Sequence, residues 1–332
     1  MVEYIARRGL FTLLLLALVS VVSFVIIQLP PGDYLSTYIM ALQEQGEDVS
    51  EAQIETLRAH YGLGLPIYVQ YFKWMWGVLR GNFGVSFEWN VPVAALIGER
   101  LALTLTIAVA TLVFTYLLAI PIGIYSATHQ YSVGDYTFTT VGFIGLATPN
   151  FLLALILMFL FFKYLGLSVG GLFSPEYLGE PWSAGKVLDL IRHLPIPIIV
   201  VGTAGTAAVI RIMRGSLLDE LGRQYVITAR AKGLKEGSLL FKYPVRVAVN
   251  PIVSTVGWAL PSTISGATIT AIVLSLPTAG PLLLRSLRSQ DMYLAASIVM
   301  MLSAMTILGT FVSDLLLAWV DPRIRFERSR TS

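Results

Sequence analysis

Six long apolar stretches constrain this chain more than any other feature of its sequence. The hydrocarbon core of a bilayer is about 30 Å thick, so a helix needs about 20 apolar residues to cross it. The stretches that meet this length lie at residues 10–29, 101–124, 138–166, 194–213, 251–276 and 293–320. We therefore predict an all-α integral membrane protein with six transmembrane helices and with both termini on the same side.

The composition argues against a soluble enzyme. Only 13% of the 332 residues are charged and 55% are hydrophobic, whereas soluble proteins carry about a quarter charged residues. Cysteine is absent, which excludes disulfides, thiolate nucleophiles and Cys-based zinc sites. The three histidines, His60, His129 and His193, are far apart and form no pair with metal-ligand spacing. We predict no metal site and no catalytic residue in this chain.

The first apolar stretch has a second interpretation. Arg7 and Arg8 precede a leucine run, a pattern that also occurs in cleaved export signals. However, the run is as long as a full span, and no small-x-small cleavage site closes it before Pro30 and Pro31. We interpret it as the first transmembrane helix.

The basic residues set the predicted orientation. With the N-terminus inside, the inner segments hold 14 of the 23 Lys and Arg residues and the outer segments hold nine. Cytoplasmic loops carry an excess of these residues, so we predict that both termini are cytoplasmic. The positive charge then reports membrane orientation, and we expect membrane lipid but no nucleic acid among the partners.

The outer segment between the first two spans, residues 30–100, is predicted to form short amphipathic helices. Ser50 and Gln53 make a capping-box pair, and a helical apolar pattern continues to Gly62. Pro66 then opens an aromatic stretch that suits a helix in the headgroup zone. Its aromatic residues are Tyr68, Tyr71, Phe72, Trp74 and Trp76. The segment is either a cap on the bundle or a platform for an external partner, and the residues leave both interpretations open.

The basic inner loop at 214–250 is the most informative segment. Helix-compatible residues run over 216–232, Gly233 breaks the run, and a second short helix begins after Gly237. An anchor to anionic lipid would need only charge, whereas small residues among the charges favour close docking of another protein. The small residues are Ala229, Ala231 and Gly233, which flank Arg230 and Lys232.

This loop resembles the cytoplasmic "EAA" loop of binding-protein-dependent ABC permeases. The run at 225–234, YVITARAKGL, is similar to the form found in oligopeptide and dipeptide importers, although Thr228 stands where the family has a leading acid. Four further motifs of the family occur in order. They are Gly81-Asn82-Phe83-Gly84-Val85-Ser86, Ile97-Gly98-Glu99-Arg100-Leu101, Ile210-Arg211 with Arg214-Gly215-Ser216, and Asp321-Pro322-Arg323.

The resemblance implies a type I ABC importer permease fold in a bacterial or archaeal plasma (inner) membrane. Residues 1–96 would hold the first span and the outer helical loop, and residues 97–325 the transmembrane core with the coupling loop. The chain would form half of a translocation pathway for a small oligomeric solute such as a di- or oligopeptide. An oligosaccharide or a nickel chelate stays open as an alternative cargo.

The resemblance also implies the partners. They are a second homologous permease, two cytoplasmic ATP-binding subunits and an extracytoplasmic solute-binding protein. The residues that would couple the chain to the ATPases are Thr228, Ala229, Arg230, Ala231, Lys232, Gly233 and Leu234.

A Walker A motif is absent from this sequence. The motif needs four residues between its glycines and a Ser or Thr after its lysine. The nearest match has five residues between Gly179 and Gly185, and Val187 follows its lysine. We therefore expect no cofactor in this chain, with ATP and Mg²⁺ bound by partner subunits.

Two other function classes need intramembrane polar groups. An ion-coupled carrier would need ionisable sites near mid-membrane, and Asp314 alone lies well inside a predicted span. An intramembrane hydrolase would need a nucleophile beside a base, and the histidine nearest a span is His193. The serines of the fifth span are Ser262, Ser265 and Ser275. Because their neighbours are also small residues, we interpret them as positions of close helix packing.

The fifth predicted span also carries prolines. Pro251, Pro261 and Pro277 bracket and interrupt it. Broken backbone inside a bilayer is tolerated only against protein or a water-filled cavity. This span is therefore a candidate lining of the pathway.

Overall fold

The computed structural model describes residues 2–28, 65–86, 88–166 and 170–320. Most of these residues are helical, and within them extended pairing is limited to a single bridge between Val85 and Pro92. The helices are α1 Val2–Gln28, α2 Ile67–Leu79, α3 Val93–Thr128, α4 Val133–Ala147, α5 Asn150–Leu165, α6 Ala184–His193, α7 Pro195–Leu221, α8 Gln224–Ala231, α9 Glu236–Lys242, α10 Pro244–Ala248, α11 Asn250–Gly266, α12 Thr268–Val273, α13 Ala279–Arg288 and α14 Met292–Val320.

Within the described part of the chain, four helices are long and apolar enough to cross a membrane. They are α1, α3, α7 and α14, with apolar stretches at Ile5–Val25, Val93–Thr128, Pro195–Leu221 and Tyr293–Leu315. These helices match the first, second, fourth and sixth predicted spans. The chain is thus an all-α, multi-pass membrane protein, while the count of six spans stays a prediction.

The third predicted span is not one continuous helix. Helices α4 and α5 meet at an angle of 107°. Thr148 has an extended backbone, with φ −84° and ψ 121°, and Pro149 caps the start of α5. A residue before proline is disfavoured in the helical region because the proline ring clashes with its backbone, so the Thr148-Pro149 pair turns the chain inside the apolar run.

The fifth predicted span is also divided. Helix α11 has 17 residues and α12 has six, and each is shorter than the roughly 20 residues that cross a bilayer. The break falls at Ala267. Pro251 lies in the first turn of α11, where a missing N–H costs nothing, and the helix continues through Pro261. The sequence-based expectation that Pro261 would interrupt this helix is therefore wrong.

The described chain forms two compact units. The first comprises Met1–Arg8, Leu105–Leu276 and Leu308–Ser332. Its central helix is α7, which packs against α4, α5, α10 and α11. The fully buried side chains of Met213 and Leu217 lie on α7. A Cβ on Gly123 of α3 would come within 2.6 Å of the Met213 Cβ, so glycine permits the close approach of these helices.

The second unit comprises Gly9–Thr104 and Pro277–Ile307. One part of its core joins α3 to α14 through Val93, Ile97, Leu294 and Ile298. A second part joins α1 to α2, where the rings of Phe24 and Trp74 stack with centroids 5.7 Å apart.

The aromatic stretch after Pro66 does form a helix, α2, as predicted. Trp74 points into the core, whereas Tyr68, Phe72 and Trp76 are exposed, so aromatic side chains lie on both the buried and the exposed face of α2. The predicted capping-box helix around Ser50 and Gln53 lies outside the described residues.

Candidate functional site

The predicted coupling loop folds as a pair of short helices, α8 and α9, which we call the coupling hairpin. The predicted single run over 216–232 is wrong in one respect. Helix α7 continues through Leu221, and Arg223 is extended, with φ −72° and ψ 146°, before α8 begins at Gln224. The second helix begins at Glu236, two residues earlier than the start after Gly237 that the sequence predicted.

Gly233 reverses the chain between the two helices, as the sequence predicted. Its φ is +81°, in the left-handed region that favours glycine and ends many helices. Its N–H donates to the Arg230 carbonyl at 3.0 Å. A Cβ at this position would have no neighbour within 4 Å, so the turn requires glycine for its backbone conformation and not for space.

A small apolar core holds the hairpin together. Val226 and Ala229 of α8 pack against Leu239 of α9, and Leu234 and Tyr243 cover the contact. Val226 and Leu239 are fully buried, and Ala229 is 7% exposed. Two of the predicted coupling residues, Ala229 and Leu234, therefore contribute to the internal packing of the hairpin.

The other predicted coupling residues lie on the surface. They are Thr228, Arg230, Ala231, Lys232 and Gly233, all of which are exposed. The Thr228 hydroxyl donates to the Gln224 carbonyl of its own helix at 2.8 Å. The exposed residues form a compact surface around the turn, with small side chains at two positions and positive charge at two others.

An ion pair crosses the turn between the helices. The Arg230 guanidinium contacts the Glu236 carboxylate, with Nη2 and Oε2 3.0 Å apart. The hydrogen bonds from Arg230 hold the pKa of the Glu236 carboxyl below its ordinary value, and the same bonds raise the pKa of Arg230. Because solvent screens exposed pairs, this ion pair adds little to stability, but its two hydrogen bonds restrict the direction of the Arg230 side chain. Glu236 was not among the predicted residues, since a separation of six residues across a glycine carries no sequence pattern.

The hairpin is joined to the core of its unit through two adjacent leucines. Leu239 lies in the hairpin core, while Leu240 packs against the cluster that contains Met213 and Leu217 of α7. Val245 of α10 belongs to the same cluster. Because packed interiors transmit displacement, a force on the hairpin reaches α7.

A tyrosine anchors the other end of the hairpin. The Tyr225 hydroxyl at the start of α8 donates to Glu220 Oε2, near the end of α7, at 2.5 Å. Burial of the phenol and its hydrogen bond to Glu220 raise the pKa of Tyr225 to about 12. The hydroxyl therefore keeps its proton at neutral pH and stays a donor.

Comparison with known proteins identifies this arrangement. Residues 119–326 match the family described as "Binding-protein-dependent transport system inner membrane component", and residues 1–108 match "Binding-prot-dependent transport system membrane comp, N-term". The chain belongs to this family of permeases. An inner-membrane component of such a system works with solute-binding and ATPase partners. ATP hydrolysis takes place in the separate ATPase subunits.

Individual relatives cover the whole permease. The oligopeptide transport system permease protein AppB of Bacillus subtilis is 35% identical over 98% of this chain and 100% of its own length. A putative peptide permease protein of Brucella ovis is 32% identical over 98% of this chain and 99% of its own. The dipeptide transport system permease protein DppB of Escherichia coli K12 is 29% identical over 99% and 100%.

The carboxylate considered for an ion-coupled carrier is already paired in the permease. Asp314 Oδ2 lies 2.9 Å from Arg8 Nη1. The positive charge of Arg8 compensates the carboxylate and lowers the cost of placing it in a helix with an apolar sequence. Asp314 therefore joins α1 to α14 within the first unit.

The residues considered for a hydrolase do not meet in the described contacts of the permease. The Ser262 hydroxyl donates to the Ala259 carbonyl at 2.9 Å, and His193 Nδ1 lies 2.8 Å from the Asp189 carbonyl oxygen. Ser275 is exposed in a turn with φ +53°, and the side chain of Ser265 is outside the described set. These contacts contain no serine–histidine pair.

Proposed function

We propose that this permease is the transmembrane subunit of an ATP-driven ABC importer and forms half of a translocation pathway for di- or oligopeptides. A second homologous permease supplies the other half. An extracytoplasmic binding protein delivers the solute, and two cytoplasmic subunits bind ATP and Mg²⁺. The names of the full-length relatives, which specify oligopeptide or dipeptide transport, support the choice of cargo.

The coupling hairpin is the observation that carries this proposal. Its turn is exposed, its two helices are held together by their own apolar core, and Leu240 packs it against α7. A surface that only attracted lipid would need none of these three properties, because charge alone is sufficient. The basic residues of the hairpin favour a cytoplasmic location, with both termini on that side.

The packing suggests how ATP-driven motion crosses into the membrane. An ATPase groove that grips the hairpin displaces α8 and α9 as a single body, because Val226 and Leu239 hold them together. Leu240 then presses on the α7 cluster. Small shifts at such an interface become switches between discrete states when the packed elements are bistable. In this mechanism the permease residues transmit force and carry out no chemical step.

Reconstitution tests the proposal. The permease is purified alone and with its paired permease and ATPases, and ATP hydrolysis is measured with binding protein in proteoliposomes. We expect no hydrolysis by the isolated chain, hydrolysis by the complex, and stimulation and uptake with peptide-loaded binding protein. Hydrolysis by the isolated chain that a substitution within it abolishes would refute the division of labour. Stimulation by an oligosaccharide or a nickel chelate instead of peptide would refute the cargo.

A further inference from the structure

A groove of about 310 Å³ opens between α4 and α7 within the first unit. One end of this α4–α7 groove is apolar, and it is lined by Gly142, Phe143 and Leu146 of α4 and by Ala207 of α7. Phe143 is 56% exposed. This volume lies at the lower end of the range typical of small-molecule pockets.

The other end of the groove is polar and carries one surplus positive charge. Asp135 and Arg214 form a two-point ion pair, with Nε–Oδ1 at 3.2 Å and Nη2–Oδ2 at 3.0 Å. Arg211, one turn before Arg214, lines the same end. Arg211 is exposed, and it makes no ion pair with the described part of the chain.

The length of the groove matches one leaflet of a bilayer. Leu146 lies eleven positions after Asp135 on α4, which at about 1.5 Å per residue is a rise of about 16 Å. Half of a hydrocarbon core of about 30 Å is about 15 Å. Along the α4 axis, the distance between the charged end and the apolar end is therefore similar to the thickness of one leaflet.

We propose that the α4–α7 groove binds one anionic phospholipid. The phosphate pairs with Arg211, beside the exposed phenol of Tyr131, and an acyl chain lies along Phe143 and Leu146. A neutral apolar partner would leave Arg211 as an uncompensated charge at an apolar contact, which is costly. An anionic headgroup pairs this charge while its chain covers the aromatic surface, and basic pockets between transmembrane helices on the cytoplasmic side bind such headgroups.

The first test compares two arginines in the assembled transporter. The complex is placed in phosphatidylcholine nanodiscs with graded phosphatidylglycerol, and bound lipid is counted by native mass spectrometry. We expect one retained phosphatidylglycerol per permease, with at least about tenfold weaker binding in Arg211→Gln because a charge-assisted hydrogen bond is lost. Arg246→Gln removes the same charge from an exposed site on α10, and its effect should stay within about fivefold, the general attraction of one surface base. Equal losses in the two variants would overturn the proposal.

The second test addresses the apolar end and leaves Arg211 in place. A Cβ at Gly142 would lie 3.5 Å from the Ala207 Cβ, so Gly142→Ala is tolerated while Gly142→Leu fills the groove. We expect the leucine variant to lose phosphatidylglycerol and the alanine variant to keep it. A photoreactive residue at Phe143 should crosslink to lipid. Crosslinking to another protein subunit, or retained lipid in the leucine variant, would show that the groove is not a lipid site.

Discussion

The hydroxyl of Ser86 donates a 2.5 Å hydrogen bond to Oδ2 of Asp291, 205 positions later in the chain, and both residues are 0% exposed. The same oxygen accepts the Glu88 N–H at 3.2 Å, while Oδ1 accepts the Leu294 N–H at 3.1 Å. The carboxylate thus caps the start of α14 and also fixes the turn that leads into α3.

Gly84 belongs to the same turn and has two reasons to be glycine. Its φ is +88°, and a Cβ would approach the Tyr293 ring to 3.2 Å. Either feature disfavours a larger residue. The motif at 81–86, identified first by resemblance, therefore has a physical function: it brings the chain against the start of α14.

Removal of the Ser86 hydroxyl should destabilise the second unit. In Ser86→Ala the buried Asp291 carboxylate loses one of its donors, which costs about 1–3 kcal/mol. We expect a lower midpoint in denaturant unfolding and faster hydrogen exchange at 88–100. Ser289→Ala is the matched control, because the Ser289 hydroxyl donates only to carbonyls of its own helix. An equal loss of stability in both variants would contradict the role of the Ser86 contact.

Gly233→Val should uncouple ATP hydrolysis from transport. Valine at φ +81° costs about 1–2 kcal/mol in left-handed backbone, which distorts the turn outside the hydrocarbon and leaves insertion intact. The measurements are membrane insertion, ATPase association and peptide uptake per ATP hydrolysed. We expect normal insertion with weaker association or a lower uptake ratio.

The control for this substitution is Gly237→Val. Both glycines have open space at the Cβ position, but Gly237 lies in α9 and is not among the residues with positive φ. The control should therefore behave nearly as the parent. Normal coupling in Gly233→Val would remove the hairpin turn from the coupling mechanism. If neutralising Lys232, Lys235 and Lys242 together were then the dominant change, the loop would be a lipid anchor.

Acid should loosen the segment before α7. Asp189 accepts hydrogen bonds from the Ser174 N–H at 2.7 Å and the Ser174 hydroxyl at 2.8 Å. Burial raises the pKa of Asp189, but the two Ser174 bonds outweigh it and leave the pKa below its usual value. A lowered folded-state pKa stabilises the fold fully above the ordinary carboxyl value of about 3.9, and this contribution is lost as the pH falls through the folded pKa.

Fluorescence of Trp182 checks this expectation. The Trp182 ring packs on Phe173, with centroids 5.9 Å apart, so loosening of the segment changes its emission. The Trp182 emission, taken as the difference between the parent and Trp182→Phe, should not change with pH near neutrality and should change only below about pH 4. Asp189→Asn should show the loosened signal at neutral pH already, and an unchanged signal in this variant would contradict the expectation.

Cysteine labelling checks the orientation, and the native chain contributes no background because it has no cysteine. Ser238 of the coupling hairpin and Glu176 in the segment before α6 are both exposed. The positive-inside rule leads us to expect that Ser238→Cys reacts with impermeant reagent only from the cytoplasm and Glu176→Cys only from outside. The reverse pattern would show that the permease is inserted with its termini outside.

The sequence predicted the features that rest on local physics. Length and hydropathy were sufficient for α1, α3, α7 and α14, because a bilayer requires long apolar helices. A helix-breaking glycine between two short helical patterns was sufficient for the turn at Gly233. The helix after Pro66 followed from its aromatic residues and its proline.

The features that the sequence did not predict depend on competing signals or on distant partners. The 107° bend at Thr148-Pro149 was hidden because the apolar run continues on both sides of it. The pairing of Arg8 with Asp314 joins the two ends of the chain. A single sequence records the charge of each residue and does not record which charges meet.

The second unit is built from two segments that lie far apart in the chain, and this has a consequence for biosynthesis. Its two parts, Gly9–Thr104 and Pro277–Ile307, are separated by about 170 residues, which a ribosome adds in roughly 10–30 s at about 5–20 residues per second. During that interval Val93 and Ile97 are not yet covered by the α14 side chains, because α14 has not been synthesised. The nascent permease therefore passes through a stage that is open to proteases and chaperones, and chains truncated before residue 277 should be degraded even though most of their apolar helices are already in the membrane.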